Sequence, residues 1–407
     1  MKSQQNLPLN GVKVVELATV VAAPVASRML CAYGAEVIKV ESLRGDDMRV
    51  IGNIKGIPSD EETNPLFTLP NSGKEFVSIN IKSEDGKAVL LKLLESADVF
   101  ISNVRLQSLK RVGLDYESLK EKFPKLIYAH FSGFGPKGPA ANEPGFDSTA
   151  FWLRSGMQAD WQIEGVDPFA PTFAFGDMAT SSSLFGGIVT ALFGRERTGK
   201  GTYLETSLYA TGIWYNGVGV IQTQGEQKKL NPDPTKRYNP MSGTYKCKDG
   251  NFIGIYENEY TRDLPKYARI LDVGWILDEP RFATQKTLRE QNSFTELYHI
   301  FCDAFMKKNA QEWRDLMSAE SVSIEVFHRT SEVAQDPQAI ENGYVEEVQY
   351  EDGRKFMMPC PPIHFNNWDT KKYNPQSKLA KDTDSVLAEA GYSIEEIERM
   401  RNGGAIL

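Results

Sequence analysis

Short apolar runs alternate with longer runs of helical spacing through the first half of the chain. Val12–Leu17, Val-Lys-Val-Val-Glu-Leu, is rich in β-formers and predicts a first strand. Ala22-Ala23-Pro24 then opens a helix to Tyr33, with proline in the first turn where its missing N–H costs little, and Gly34 ends it. Glu36–Val40 predicts a second strand. The alternation continues with strands over Glu75–Ile81, Val99–Ser102 and Leu126–Phe131, and helices over Gly86–Ser96 and Tyr116–Lys122. A helix over Ser148–Ser155, a strand over Tyr203–Ser207 and a helix from Leu208 to about Gln222 follow. This succession predicts an α/β fold with a Rossmann-like, doubly wound parallel sheet.

The stretch Phe173–Gly201 stands out. It turns at Gly176, places one carboxylate at Asp177, and continues as a helix whose apolar face is Leu184, Ile188, Leu192 and Phe193. Gly199 and Gly201 suit its C-terminal cap. Asp177 has two readings on local sequence: a helix N-cap, for which Asp is a preferred residue, or a nucleophilic carboxylate that holds an acyl group covalently. Gly176 leaves room for a ligand near the backbone.

Beyond residue 223 the composition shifts. Gln224–Pro240 is polar and rich in Pro and Asn, a linker or loop signature. Gly243–Lys248 and Asn251–Tyr256 predict a hairpin over Lys248-Asp249-Gly250. Helical spacing covers Arg262–Leu271, Thr287–Lys307 and Ala310–Ser318, with a β-rich run at Val322–Phe327. Glu332–Gly343 reads as a polar helix. Val345–Tyr350 and Lys355–Met358 predict a second hairpin, and Asp382–Ala390 and Ile394–Arg401 two last helices, the second opened by a Ser393/Glu396 capping box. The expected division is a large domain over 1–222, a small α+β domain over 223–330, and a return over 331–407.

Composition narrows the function. The chain has 407 residues and a net charge of −8, against a general nucleic-acid binder. Cys31, Cys247, Cys302 and Cys360 are far apart and offer no metal-ligand spacing. No apolar run reaches the ~20 residues of a membrane helix, and the N-terminus lacks a signal-peptide core. A cytoplasmic protein without metal, membrane or nucleic-acid partner is expected.

In doubly wound sheets, ligands bind beyond the carboxyl ends of the strands. The residues falling there are Val20, Val21, Arg44, Asn71, Lys74, Asn103, Arg105 and the turn Ser132-Gly133-Phe134-Gly135. Several basic groups at such ends suit an anionic ligand. The turn after the first strand lacks the glycines of a dinucleotide fingerprint, so Glu41 reads as a strand-end acid rather than a ribose ligand. The hydroxyl run Thr180–Ser183 has no nucleophile elbow. His130, His299, His328 and His364 form no catalytic or metal spacing.

These residues resemble the class III CoA-transferases, the group of formyl-CoA transferase and carnitine CoA-transferase. The resemblance is carried, in family order, by Leu9-Asn-Gly-Val-Lys-Val-Val-Glu-Leu, Ala22-Ala-Pro, Tyr33-Gly-Ala-Glu-Val-Ile-Lys-Val-Glu, Ala97-Asp-Val, Leu126-Ile-Tyr-Ala-His-Phe-Ser-Gly-Phe-Gly, Gly176-Asp177 and Arg197-Thr-Gly-Lys-Gly. The Asn103–Arg105 loop and Pro144-Gly-Phe-Asp are most similar to the branch acting on 2-hydroxyisocaproate and aryl-lactates.

The resemblance implies that Asp177 is the nucleophile, through mixed-anhydride and aspartyl-CoA thioester intermediates. It implies CoA thioesters as substrates with no tightly bound cofactor, and CoA contacts at Val21, Lys74, Asn103, Arg111, Ser132, Gly133, Phe134 and Gly135. Arg44 and Arg105 complete the expected CoA-binding set; Arg44 lies two residues beyond Ser42, where formyl-CoA transferase carries an arginine. Val21 stands where that enzyme has a glutamine, which favours a more apolar acid, and its glycine-rich flap is missing from 223–330. The implied assembly is an interlocked homodimer whose large domain takes both chain ends. The implied partners are an acyl-CoA, a free carboxylic acid and a 2-hydroxyacyl-CoA dehydratase system. A 2-methylacyl-CoA racemase is the alternative; it needs a His beside Asp147 or Asp177, and His130 is the only histidine near in sequence.

Overall fold

The computed structural model describes residues 7–57, 59–163, 165–225, 239–375 and 378–407. Most of the expected linker 224–240 lies outside the described residues. The chain forms two compact units. One takes Met1–Ala159, Phe169–Gln224 and Asp336–Leu407; the other takes Asp160–Pro168 and Gly225–Gln335.

The first unit is built on six parallel strands: β1 (Lys13–Leu17), β2 (Glu36–Glu41), β3 (Glu75–Ser78), β4 (Val99–Ser102), β5 (Ile127–Ser132) and β6 (Tyr203–Ser207). Their order is β3-β2-β1-β4-β5-β6, so the chain builds outward to one side as far as β3 and then crosses over β1 to continue with β4 on the other side. Side chains alternate between two cores. Val14, Val99, Ile101, Ile127, Ala129 and Phe131 face one side, under helices α1 (Ala22–Ala32) and, further along, the long Phe175–Thr198 helix. Val15, Phe100 and Tyr128 face the other, under α2 (Glu84–Leu94) and the two last helices, Thr383–Glu389 and Ile394–Asn402. Burial on both faces explains why these strands are near-continuous apolar runs.

The chain's end returns to this sheet. Ile79 bridges Ile406, and Asn80 N–H is donated to Ala405 C=O (2.8 Å). The preceding segment crosses α1: Lys371 N–H is donated to Ala32 C=O (2.8 Å), and the Arg28 guanidinium lies 4.6 Å from the Tyr373 ring centroid. The second hairpin, β10 (Val345–Gln349) with β11 (Lys355–Pro359), belongs to this unit, with Gly353 at φ +85° in its turn.

The second unit holds a three-stranded antiparallel sheet, β7 (Ser242–Lys246), β8 (Phe252–Tyr256) and β9 (Ile324–Val326). Its core packs Tyr245, Tyr267, Phe301, Phe305 and Trp313.

Several helices break where a single run was expected. Leu208–Gln222 divides at Asn216 into Leu208–Tyr215 and Gly217–Gln222. Thr287–Lys307 becomes Gln285–Glu290 and Phe294–Phe305, separated by Asn292 at φ +52°. Glu332–Gly343 becomes Thr330–Val333 and Pro337–Glu341, because Pro337 cannot sit inside a helix but starts one well. Ser148–Ser155 is a π-helical segment over Asp147–Leu153.

Candidate active site

The long helix, α3 (Phe175–Thr198), presents its N-terminus at the carboxyl edge of the sheet. Asp177 is not its cap. The helix starts at Phe175 after Ala174, which takes φ +62°, so Asp177 is the third helical residue and its side chain makes no capping bond. Tertiary packing moves the start: a Cβ on Gly176 would come within 2.3 Å of both Asp147 Oδ1 and Phe151 Cγ. Glycine here allows close approach rather than an unusual φ. The helix is held against α1 by Leu184, Ile188 and Leu192 packing on Ala22, Ala23, Ala26 and Leu30. Thr180 and Ser181 donate their hydroxyls to Gly176 and Met178 C=O (2.7 and 2.6 Å), so these hydroxyls serve the helix.

Asp177 is 9% exposed, and its carboxylate makes no hydrogen bond or ion pair among the described residues. Burial, and then the Asp147 carboxylate, push its pKa up to about 7. Burial also raises Asp147, partly offset by the facing N–H groups of Gly176 and Asp177. Asp147 Oδ1 is buried without a hydrogen-bond partner among the described residues. A desolvated carboxylate beside a second one is more basic than a solvated one, and so a better nucleophile once ionised. Asp147, named from the sequence only as a possible neighbour of a histidine in the racemase alternative, stands here as the second carboxylate of the site.

Asp177 and Asp147 line a cleft of about 410 Å³ at the carboxyl ends of β1, β4 and β5. Of the expected site residues, Val21, Asn103, Arg105, Ser132, Gly133 and Gly135 line it with them. The turn after β5 is built for close approach: a Cβ on Gly133 would fall 2.5 Å from Gly145 Cα, and Ser132 Oγ accepts the Gly135 N–H (3.0 Å). Asn103 spends its amide on the backbone, donating to Thr19 C=O (2.8 Å) and accepting Thr19 N–H (3.1 Å).

Four expected residues are not in the lining. Lys74 is 4% exposed and its ammonium is committed to Glu16 (2.6 Å), Asn71 Oδ1 (2.9 Å) and Pro24 C=O (2.9 Å). It is a buried structural cation, and burial lowers its pKa. Arg44 sits exposed on the loop after β2. Arg111 turns its guanidinium back to Gln107 C=O and Ser108 Oγ. The Phe134 ring lies against Tyr209 and under Arg154, 5.0 Å from its centroid.

Beneath the cleft, a charge network joins three strands. Glu16, in the middle of β1, meets Lys39 of β2 (2.8 Å) and Lys74; Lys39 also meets Asp46 (2.9 Å). All four side chains are out of contact with solvent or nearly so. Glu41 pairs with Arg49 (2.6 Å), which confirms it as a strand-end acid with a structural partner.

Among the aromatics, Phe151 and Trp152 are core, whereas Phe146 lines the cleft and is 66% exposed. Phe173 and Phe175 are exposed. His130 reaches the cleft edge, but alternation along β5 turns it to the sheet face opposite α3, and its Nε2 is engaged with Val104 C=O (3.0 Å). Burial lowers its pKa. No His/Asp proton-transfer pair with Asp147 or Asp177 is formed among the described residues.

Residues 9–383 match the profile of CoA-transferase family III. (R)-2-Hydroxy-4-methylpentanoate CoA-transferase of Clostridioides difficile is 35% identical, over 98% of this chain and 99% of its own. Cinnamoyl-CoA:phenyllactate CoA-transferase of Clostridium sporogenes is 31% identical, over 100% of this chain and 99% of its own. The crystal structure of a CAIB/BAIF family protein from Brucella suis superimposes with a TM-score of 0.80 at 28% identity, covering 95% of this chain and all of that one.

Proposed function

Since the chain belongs to CoA-transferase family III, we propose that it moves CoA from an acyl-CoA to a free 2-hydroxy acid, with the Asp177 carboxylate as covalent nucleophile. The observation that carries this reading is the unpartnered, desolvated Asp177 at the cleft wall, with its pKa raised to about 7.

The steps follow from that placement. A carboxylate oxygen of Asp177 attacks the thioester carbonyl, the C–S bond breaks, and CoA leaves as thiolate beside a mixed anhydride. The thiolate then attacks Cγ of Asp177, freeing the donor acid and leaving an aspartyl-CoA thioester. The acceptor carboxylate attacks that thioester and expels the thiolate, which attacks the acceptor's acyl carbon and restores Asp177. Each step conserves the energy of the thioester, provided water stays out. The low exposure of Asp177 serves that need.

Apolar Val21 and Phe146 on the cleft suit an acid with an aliphatic or aryl side chain. The relatives named for 2-hydroxy-4-methylpentanoate and phenyllactate support the same class. A 2-hydroxyacyl-CoA dehydratase is the proposed consumer of the product. Of the CoA contacts, Arg105 and the Ser132–Gly135 turn are the proposed phosphate and pantetheine-side elements. A homodimer is proposed, with exposed apolar residues such as Met178, Phe193, Trp214, Tyr215, Val218 and Ile221 as the ones its interface would cover.

Intact-mass spectrometry after incubation with acyl-CoA and hydroxylamine tests the mechanism. Wild type gains a hydroxamate mapped to the peptide holding Asp177, and Asp177→Ala gains none. Transfer activity in wild type with no adduct at Asp177 would refute the covalent route.

A further inference from the structure

The turn between β1 and α1 carries strained backbone at the cleft. Val20 stands at φ +68°. A β-branched residue in the left-handed region is a conformational outlier, and such strain persists only when surroundings impose it. Here the surroundings act from two sides. Val20 N–H is donated to the Asp46 carboxylate, at 3.0 Å to Oδ1 and 3.2 Å to Oδ2. Asp46 is itself 2% exposed and fixed on every side: Oδ1 accepts Met48 N–H (3.0 Å), Oδ2 meets Lys39 Nζ (2.9 Å), and its own N–H is donated to Glu41 (2.9 Å). Lys39 is in turn anchored to Glu16 and to Ala18 C=O (2.9 Å). From the second side, Asn103 grips both the N–H and the C=O of Thr19.

What this clamp presents is the start of α1. Thr19, Val20, Val21 and Ala22 line the same cleft as Asp177. The first hydrogen bond of the helix is Val25 N–H to Val21 C=O. The N–H groups of Ala22 and Ala23 therefore have no acceptor one turn back, and Pro24 has no N–H. The N-terminus of an 11-residue helix favours negative charge, and the unpartnered carboxylate on the same cleft marks where that charge is generated.

We infer that Asp46 and Asn103 are positioning residues for CoA transfer: they hold the Thr19–Val21 turn with Val20 in its left-handed shape, so that the free Ala22 N–H opening α1 stays fixed on the cleft it shares with Asp177, where the acyl oxygen gains negative charge. The inference rests on the CoA-transferase reading. It assigns Asn103 a role through the backbone rather than through contact with CoA. Preorganised donors of this kind act on kcat, because they favour the transition state over the bound substrate.

The test combines kinetics, CoA affinity by calorimetry and hydrogen exchange on Asp46→Ala, Val20→Gly, the double variant and Asn103→Ala. Asp46→Ala lowers kcat by tenfold or more, on the order expected for releasing one strained residue. In the Val20→Gly background the same substitution costs several-fold less, because glycine adopts φ +68° without the Cβ clash. Asn103→Ala lowers kcat while CoA affinity stays within about twofold. The inference is overturned by wild-type kcat in folded Asp46→Ala, by equal losses in both Val20 backgrounds, or by an Asn103→Ala protein that loses CoA affinity and keeps kcat. Should Asp46→Ala fail to fold, Asn103→Ala decides alone. Hydrogen exchange separates the clamp from the proposed activity: Asn103→Ala speeds exchange of the Thr19 amide whether or not the protein transfers CoA, and unchanged exchange overturns the clamp even in an active enzyme.

Discussion

Replacing Asp177 by Asn is expected to abolish transfer and to stabilise the protein, and the stabilisation should depend on pH. The folded-state pKa of Asp177 is raised from 3.8 to about 7. Its protonated form therefore contributes stability that is fully present below the unfolded value and is lost as pH rises through about 7. At about 1.4 kcal/mol for each pH unit, the ionised carboxylate at high pH destabilises the fold by up to about 4 kcal/mol relative to low pH. The third position of a helix favours an anion by roughly 0.3–1 kcal/mol, which reduces the net to about 3 kcal/mol. Asn is isosteric and neutral throughout. Urea unfolding of wild type and Asp177→Asn at about pH 4 and about pH 9 isolates this quantity: the two proteins should lie close at the acid end and differ by about 3 kcal/mol at the alkaline end, with the variant more stable. Wild-type kcat/KM should rise with pH through about 7 as the nucleophile ionises. A stability difference that is the same at both pH values, or a variant less stable at about pH 9, would refute the argument that desolvation and Asp147 govern this carboxylate.

The buried network gives a second expectation. Lys74→Met leaves Glu16 with one of its two cations and should lower unfolding free energy by about 3–5 kcal/mol in urea titrations. Gly133→Ala sets a Cβ 2.5 Å from Gly145 Cα, a backbone contact that cannot yield cheaply; a loss of about 1–3 kcal/mol and a raised KM for acyl-CoA should be measured. Ser393→Ala removes the acceptor for Glu396 N–H (3.3 Å) and should cost about 1 kcal/mol by the same titration. Trp214→Lys, at a residue 81% exposed, should shift a dimer toward monomer in sedimentation velocity.

Strands and turns were readable wherever the signal was local. β1, β2, β4 and β5 fall within a residue or two of the apolar runs that predicted them, and Gly199 caps α3 at φ +67° as its position suggested. The capping box at Ser393 and Glu396 is formed. What escaped was set by contacts distant in sequence. Glu16 sits between Val15 and Leu17 with no local sign of its partners; Lys39 from β2 and Lys74 just ahead of β3 make it a buried, paired carboxylate. Lys74 follows Asn-Ser-Gly at a strand end and was expected as a CoA contact; the same carboxylate takes its ammonium instead. The cap reading of Asp177 rested on Asp usually standing before a helix, but with Gly176 packed on Phe151 and Asp147 the helix starts at Phe175, three residues before the start that reading implied. The cleft residues gathered from β4 and β5 were visible as strand ends. Asp46 was not, since it ends no strand, and Asp147 was named only as a possible partner for a histidine.

The return of the last residues to the sheet has a consequence for synthesis. Ile406 and Ala405 complete the edge beside β3, and Leu387, Ile397 and Met400 fill the core under it. A ribosome adding about 5–20 residues per second takes on the order of 15–60 s between making Ile79 and making Ile406. Throughout that interval the far face of the sheet has α2 to cover it but lacks the part of its core that Leu387, Ile397 and Met400 supply, and the apolar side chains they pack on, Val77 among them, stay open. The nascent chain is therefore a natural client for holding chaperones, and a variant lacking 387–407 should go to proteolysis rather than survive as a weakened enzyme.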